Sequence, residues 1–108
     1  GQTAVIKLGG VLAVEAIEGT DRAIQRGLEL GRGGGVVVKV AKPNQDLRFD
    51  VPTVGHHTLD VIHRAGGGTL AFEARITLVV EGRRFVDRAE ELGITVVSYE
   101  PGLESAFS

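Results

Sequence analysis

Val36 to Gly55, VVVKVAKPNQDLRFDVPTVG, sends an apolar run into a segment that carries Lys39, Lys42, Arg48, Asp46 and Asp50. Both signs of charge on one short connection make an inventory for phosphate and a hard metal ion. Val36, Val37 and Val38 are the β-branched run of a buried strand, which places Lys39 and Lys42 at its C-terminal end. Pro43 ends that strand because it has no backbone N–H to give to a ladder. Asp46 and Asp50 lie four residues apart with Arg48 between them, so an extended connection turns both carboxylates away from Arg48. Carboxylates of this kind suit Mg²⁺, which takes one or two of them together with phosphate oxygens of a substrate. Lysine and arginine nearby would neutralise phosphate charge. The plain alternative is a solvated loop folded by local Asx turns.

A second acidic group follows an earlier apolar run: Glu15, Glu18 and Asp21 in AVEAIEGTD. Asp21 directly after Thr20 also has an ordinary explanation, since an acidic residue in the first turn of a helix complements the helix dipole. Other features are discounted. Gly31-Arg32-Gly33-Gly34-Gly35 is glycine-rich but leads into a strand, and lacks the lysine and hydroxyl residue of a phosphate-binding loop that opens a helix. His56, His57 and His63 do not have the spacing of a zinc-binding helix, and adjacent histidines diverge on any regular element. No elbow sequence surrounds Ser98, Ser105 or Ser108, so a serine hydrolase is not indicated.

Periodicity gives the elements that must carry these groups. Thr3 to Leu8 and Val11 to Val14 read as two strands around a Gly9-Gly10 turn. Thr20 is expected as the N-cap of a helix over Asp21 to Leu30, with Ile24 and Leu28 on one face and Gly31 closing it. The Val36 to Val40 strand follows. Thr58 to Ala65 reads as a second helix, Thr69 to Glu73 and Ile76 to Val80 as strands, and Phe85 to Leu92 as a third helix ended by Gly93. Ile94 to Tyr99 is the last strand. The order β-β-α-β-α-β-β-α-β implies a single compact α/β domain with a mixed sheet and about three helices, in two layers or three. In such a sheet, sites lie beyond the C-terminal ends of strands, where both acidic groups fall.

Composition excludes several classes. A chain of 108 residues is one domain, too small to hold a deep two-domain cleft. Its net charge of −2, with no basic face, argues against a nucleic-acid partner. Without cysteine there are no disulfides, thiolate sites or cysteine nucleophiles. No run approaches a membrane span and no leader pattern is visible, so a cytoplasmic protein is expected. Gly1 at the start and the absence of methionine suggest a processed chain or a piece of a longer one.

GQTAVIKLGGVLAVEAIEGTD, VKVAKPNQDLRFDVPTVG and GGTLAFEARITLVVEGRRFVDRAEELGITVV closely resemble the C-terminal domain of the UDP-2,3-diacylglucosamine pyrophosphatase LpxI family. The likeness spans residues 1–101, leaving 102–108 as a frayed tail. It implies a two-domain cytoplasmic enzyme of lipid A synthesis that cleaves UDP-2,3-diacylglucosamine, with Mg²⁺, to UMP and 2,3-diacylglucosamine 1-phosphate. Asp50, in the RxD segment, is then the residue on which catalysis depends. Asp46 and Glu18 would assist, Lys39, Lys42 and Arg48 would bind substrate phosphates, and Asp50, Asp46 and Asp21 would hold the metal. His56-His57 and Arg75 depart from the family's usual residues. The resemblance also implies an N-terminal Rossmann-like domain, supplied in cis or in trans, as the other wall of the cleft, so that this domain by itself is inactive. Further expected partners are the nucleotide-sugar lipid, a peripheral contact with the inner membrane and a second copy in a homodimer. The alternative reading is a non-catalytic ligand-binding or oligomerisation domain that keeps the fold.

Overall fold

The computed structural model describes residues 2–40, 53–73 and 78–99. Their order is β1 (Gln2–Lys7), β2 (Gly10–Val14), α1 (Thr20–Leu30), β3 (Gly35–Val40), β4 (Thr53–Val54), α2 (His56–Arg64), β5 (Gly68–Glu73), β6 (Leu78–Val79), α3 (Gly82–Leu92) and β7 (Thr95–Tyr99). The chain forms the expected α/β domain with a mixed sheet and three helices. Its main sheet runs β2-β1-β3-β5-β7. β1 is antiparallel to β2 and to β3, whereas β3, β5 and β7 are parallel.

Every helical connection steps across this sheet in the same direction: α1 carries the chain from β2 over β1 to β3, α2 from β3 to β5, and α3 from β5 to β7. Crossovers share one hand, so a common direction puts all three helices on one face. The register agrees. Ala13, Val5, Val37, Leu70 and Val96 form a row across the five strands. All five belong to the core or pack on it, together with Ile24 and Leu28 of α1, Leu59 and Ile62 of α2, and Phe85 and Ala89 of α3. The described residues therefore form two layers, the sheet and the helices on one side of it.

Phe85 is 1% exposed at the centre of this core. Truncating a buried aromatic side chain removes transfer free energy and leaves a cavity. Phe85→Ala is expected to lower unfolding free energy by about 3–5 kcal/mol, read from urea denaturation. A loss below about 1 kcal/mol would show that the site collapses or was never tightly packed.

Local chemistry shifted several boundaries. Thr20 is not the N-cap; that position is Gly19, with φ 91°, and no side chain caps the helix. Thr20 opens α1 instead, and its hydroxyl donates to Glu15 Oε1 at 2.9 Å. The carboxylate five residues earlier out-competes the orphan helix N–H groups for that hydroxyl. The second helix starts at His56, not Thr58, because the extended Gly55 serves as its N-cap and its carbonyl accepts from the Thr58 and Leu59 N–H groups. The strand expected over Ile76 to Val80 is seen at Leu78–Val79, with residues 74–77 outside the described part. It does not join the main sheet but pairs in parallel with β4, a two-residue strand too short to produce a periodic signal.

Candidate active site

The two-layer topology gathers one edge. β2, β3, β5 and β7 all run toward it, and each crossover helix starts from it, so the N-termini of α1, α2 and α3 stand side by side beyond the strand ends. β1 runs the other way, which brings Gln2 and Thr3 to the same edge opposite Val40 and Lys39. Helix N-termini present unpaired N–H groups and the positive end of the helix dipole, the chemistry that receives phosphate.

Two acid–histidine pairs tie these helix starts together. His57 Nε2 donates to Asp21 Oδ2 at 2.7 Å, joining α2 to α1. His56 Nε2 lies 3.7 Å from Glu81 Oε2, the residue that precedes α3. At that distance Glu81 does not make a hydrogen bond, and His56 Nε2 is shielded from water without a hydrogen-bond partner. The divergence of adjacent helical side chains, about 100° apart, lets one histidine reach each neighbouring helix. Sequence reasoning set these residues aside as an unconvincing zinc pattern. The usable signal was their place at a helix start just after Gly55, with acidic residues at two other helix starts.

The predicted acidic residues do not all meet. Asp21 engages His57, but Glu18 forms an ion pair with Arg26 at 2.6 Å, and Arg26 also donates to the Val14 carbonyl. Glu15 accepts from Thr20. Lys39 sits at the C-terminal end of β3, on the same side as Val37 and hence facing the helices, half-buried and with no hydrogen-bond or ion-pair partner among the described residues. Lys42, Asp46, Arg48 and Asp50 lie outside the described residues, on the segment 41–52. That segment joins the C-terminal end of β3 to β4, which runs directly into the start of α2.

Of the three expected metal ligands Asp21, Asp46 and Asp50, only Asp21 lies among the described residues. Asp21 offers carboxylate oxygens at this edge and is half-exposed, and no soft sulfur ligand exists anywhere in the chain. Among the described residues alone, no three carboxylate or imidazole groups converge on one point. No described helix is long and apolar enough to cross a membrane.

From the Asp21–His57 pair a groove runs between α1 and α2, lined further by Arg22, Gln25, Val61 and Arg64 and enclosing about 230 Å³. Ligand pockets that enclose a drug-sized molecule run from about 300 Å³ upward. This groove alone would not enclose a two-chain lipid.

The protein-family model described as the LpxI C-terminal domain matches residues 1–97. The UDP-2,3-diacylglucosamine pyrophosphatase LpxI of Caulobacter vibrioides is 40% identical over 109 aligned positions, which cover 94% of this chain but 39% of that protein. The chain thus spans about two fifths of the length of the relative it matches. With nearly its whole length inside the matched domain, and with the α/β architecture in place, this chain belongs to the LpxI family as its C-terminal domain.

Proposed function

We propose that this domain supplies the phosphate-binding and hydrolytic half of a UDP-2,3-diacylglucosamine pyrophosphatase, acting in the cytoplasm in lipid A synthesis. The observation that carries this reading is the convergence of three helix N-termini on the edge where the segment bearing Asp46 and Asp50 leaves the sheet. A pyrophosphate placed there meets oriented N–H groups and Lys39, which has no partner among the described residues, and both favour the anion before any chemistry occurs.

In the reaction, a water oxygen forms a bond to one phosphorus as the bridging P–O bond breaks. The products are UMP and 2,3-diacylglucosamine 1-phosphate. Asp50 accepts the proton that the attacking water loses, and Asp46 or Glu18 assists in orienting that water. Glu18 would act while held by Arg26, which fixes its position and leaves its second oxygen to contact water. Lys39, Lys42 and Arg48 hold phosphate oxygens and stabilise the charge that grows on the leaving group. Asp50, Asp46 and Asp21 would hold Mg²⁺, which when bound supplies charge neutralisation at the pyrophosphate.

The limited volume between α1 and α2 and the share of the relative that this chain spans support a second wall from a further domain, in cis or in trans, to enclose the acyl chains. The lipid itself would bring the site to the inner membrane surface without a spanning helix. The test is UMP release from UDP-2,3-diacylglucosamine with Mg²⁺, by this chain with and without the remainder of a family-length protein. Release only when both parts are present is expected. No release by any combination, with the chain folded and an intact family enzyme active in the same assay, would favour a binding or assembly module.

Lys39→Ala in the family-length protein is expected to raise KM for the nucleotide substrate about tenfold or more, the effect of one lost charge-assisted contact of about 1.5–3 kcal/mol. An unchanged KM would remove Lys39 from the phosphate site.

A further inference from the structure

Among the described residues, two buried side-chain atoms lack a hydrogen-bond partner, His56 Nε2 and Thr3 Oγ1. His56 has the Glu81 carboxylate as a charged neighbour. Thr3 has no such explanation. It is 1% exposed, and among the described residues no other polar side chain is buried to that degree. Buried hydroxyls are as a rule satisfied, because leaving water without gaining a new partner costs the fold stability. A valine would fill the same space on a strand without that cost.

The strand register places this hydroxyl. Thr3 lies two residues nearer the functional edge than Val5, on the same side of β1, and so faces the helices. Its direct partner on β3 is Lys39, which lies beyond Val37 and faces the same way. Residues directly opposite on antiparallel strands have Cβ atoms about 4.5–5.5 Å apart, and a lysine side chain spans that gap by rotation about its own bonds. On the other flank, the Glu15 N–H donates to the Thr3 carbonyl at 2.7 Å, and Glu15 Oε1 accepts from Thr20. The next row inward, Ala13, Val5, Val37, Leu70 and Val96, is wholly apolar. A hydroxyl without a partner thus stands beside an ammonium that has none among the described residues, where the helix side of the sheet turns from apolar to polar.

Resting on the reading of this edge as the phosphate site, we propose that Thr3 is a positioning residue for Lys39. The Thr3 hydroxyl oxygen accepts one N–H of the ammonium while the other N–H groups donate to phosphate oxygens of the substrate. Lysine carries three donors on a flexible four-carbon stem, so a fixed acceptor near its base restricts where the charge can go. Freedom removed in this way need not be lost again when the anion binds. Threonine suits the task because its β-branched side chain is stiff about χ1. The unsatisfied hydroxyl is then a cost to the fold that serves binding.

The test joins stability to kinetics. In this chain Thr3→Val is expected to keep or raise the urea midpoint, since an apolar group of the same shape replaces a hydroxyl that makes no bond. In a family-length protein the same substitution is expected to raise KM for UDP-2,3-diacylglucosamine about two- to tenfold, the equivalent of one hydrogen bond. Thr3→Ser should restore it. In a Lys39→Ala background Thr3→Val should change nothing further, as expected of two residues that act through one contact. A lowered midpoint shows that the hydroxyl is already bonded within the fold and overturns the proposal. So does an unchanged KM in folded Thr3→Val where Lys39→Ala raises it, and so does a Thr3→Val effect that survives in the Lys39→Ala background. Those results leave Lys39 in the phosphate site. If neither Lys39→Ala nor Thr3→Val moves KM, the reading of Lys39 as a phosphate ligand fails, and the role of Thr3 with it.

Discussion

Replacing Asp50 by asparagine in a family-length protein is expected to lower kcat for UMP release by about 10²–10⁴-fold, the range a positioned proton acceptor contributes. The substitution keeps the shape of the side chain while removing its charge and its capacity to take a proton from water. A loss confined to kcat, with the circular dichroism spectrum and the denaturation midpoint unchanged, is the signature of a group that acts in the transition state. A rise in KM alone would reassign Asp50 to substrate binding, and full turnover would remove it from the mechanism. Asp46→Asn and Glu18→Gln are expected to cost less, because each is assigned an assisting role and Glu18 is already committed to Arg26. The ordering Asp50 above Asp46 and Glu18 is thus a sharper test than any single loss.

A structural effect that propensity alone would not foresee is expected at Gly27. It lies in the middle of α1, where glycine is unfavourable by about 1 kcal/mol relative to alanine, so propensity alone would recommend replacing it. The sheet forbids it. A Cβ built there would stand 2.5 Å from Val5 Cβ and within 3 Å of both its methyl groups. Val5 is fully buried and branched, and its Cβ is fixed to the backbone of β1, so no rotamer change opens the space. The only relief is to lift α1 from β1. Gly27→Val adds two further methyls to that clash and is expected to cost about 3 kcal/mol or more, beyond what overpacking a tolerant core costs. Urea denaturation measures it. Even Gly27→Ala should destabilise, and a gain in stability would show that α1 does not sit this close to the sheet. Because α1 begins with the Thr20–Glu15 and Asp21–His57 contacts, lifting it would also disturb the functional edge.

Much of this molecule was legible along the chain. The three helices, the strands of the main sheet and their succession along the chain follow from local periodicity and from glycines that end elements, as Gly93 does with φ 71° at the close of α3. These signals are contained in a few consecutive residues, so a sequence displays them directly. The family also follows from sequence, because AIEGTD and KPNQDLRFDVPTVG join charged residues, glycine and proline at offsets that packing does not demand. Boundaries moved where a side chain had two partners to choose from. Thr20 could have capped its helix, but Glu15 stands within reach once β2 has turned toward α1.

What only the tertiary structure decided rests on contacts between residues far apart in the chain. The placement of β1 between β2 and β3, the detachment of β6 from the main sheet and the gathering of the described helices on one side depend on strand partners, and the period-two pattern of a strand carries no label for its partner. The common hand of the crossovers then brings three helix starts to one edge and puts all the described helices on one face of the sheet. His57 and Asp21 are 36 residues apart and meet at 2.7 Å solely because α1 and α2 lie side by side. Sequence thus named residues able to do chemistry. The fold decided which of the described ones share an edge, because proximity in space is set by the long-range pairing of strands and helices and not by spacing along the chain.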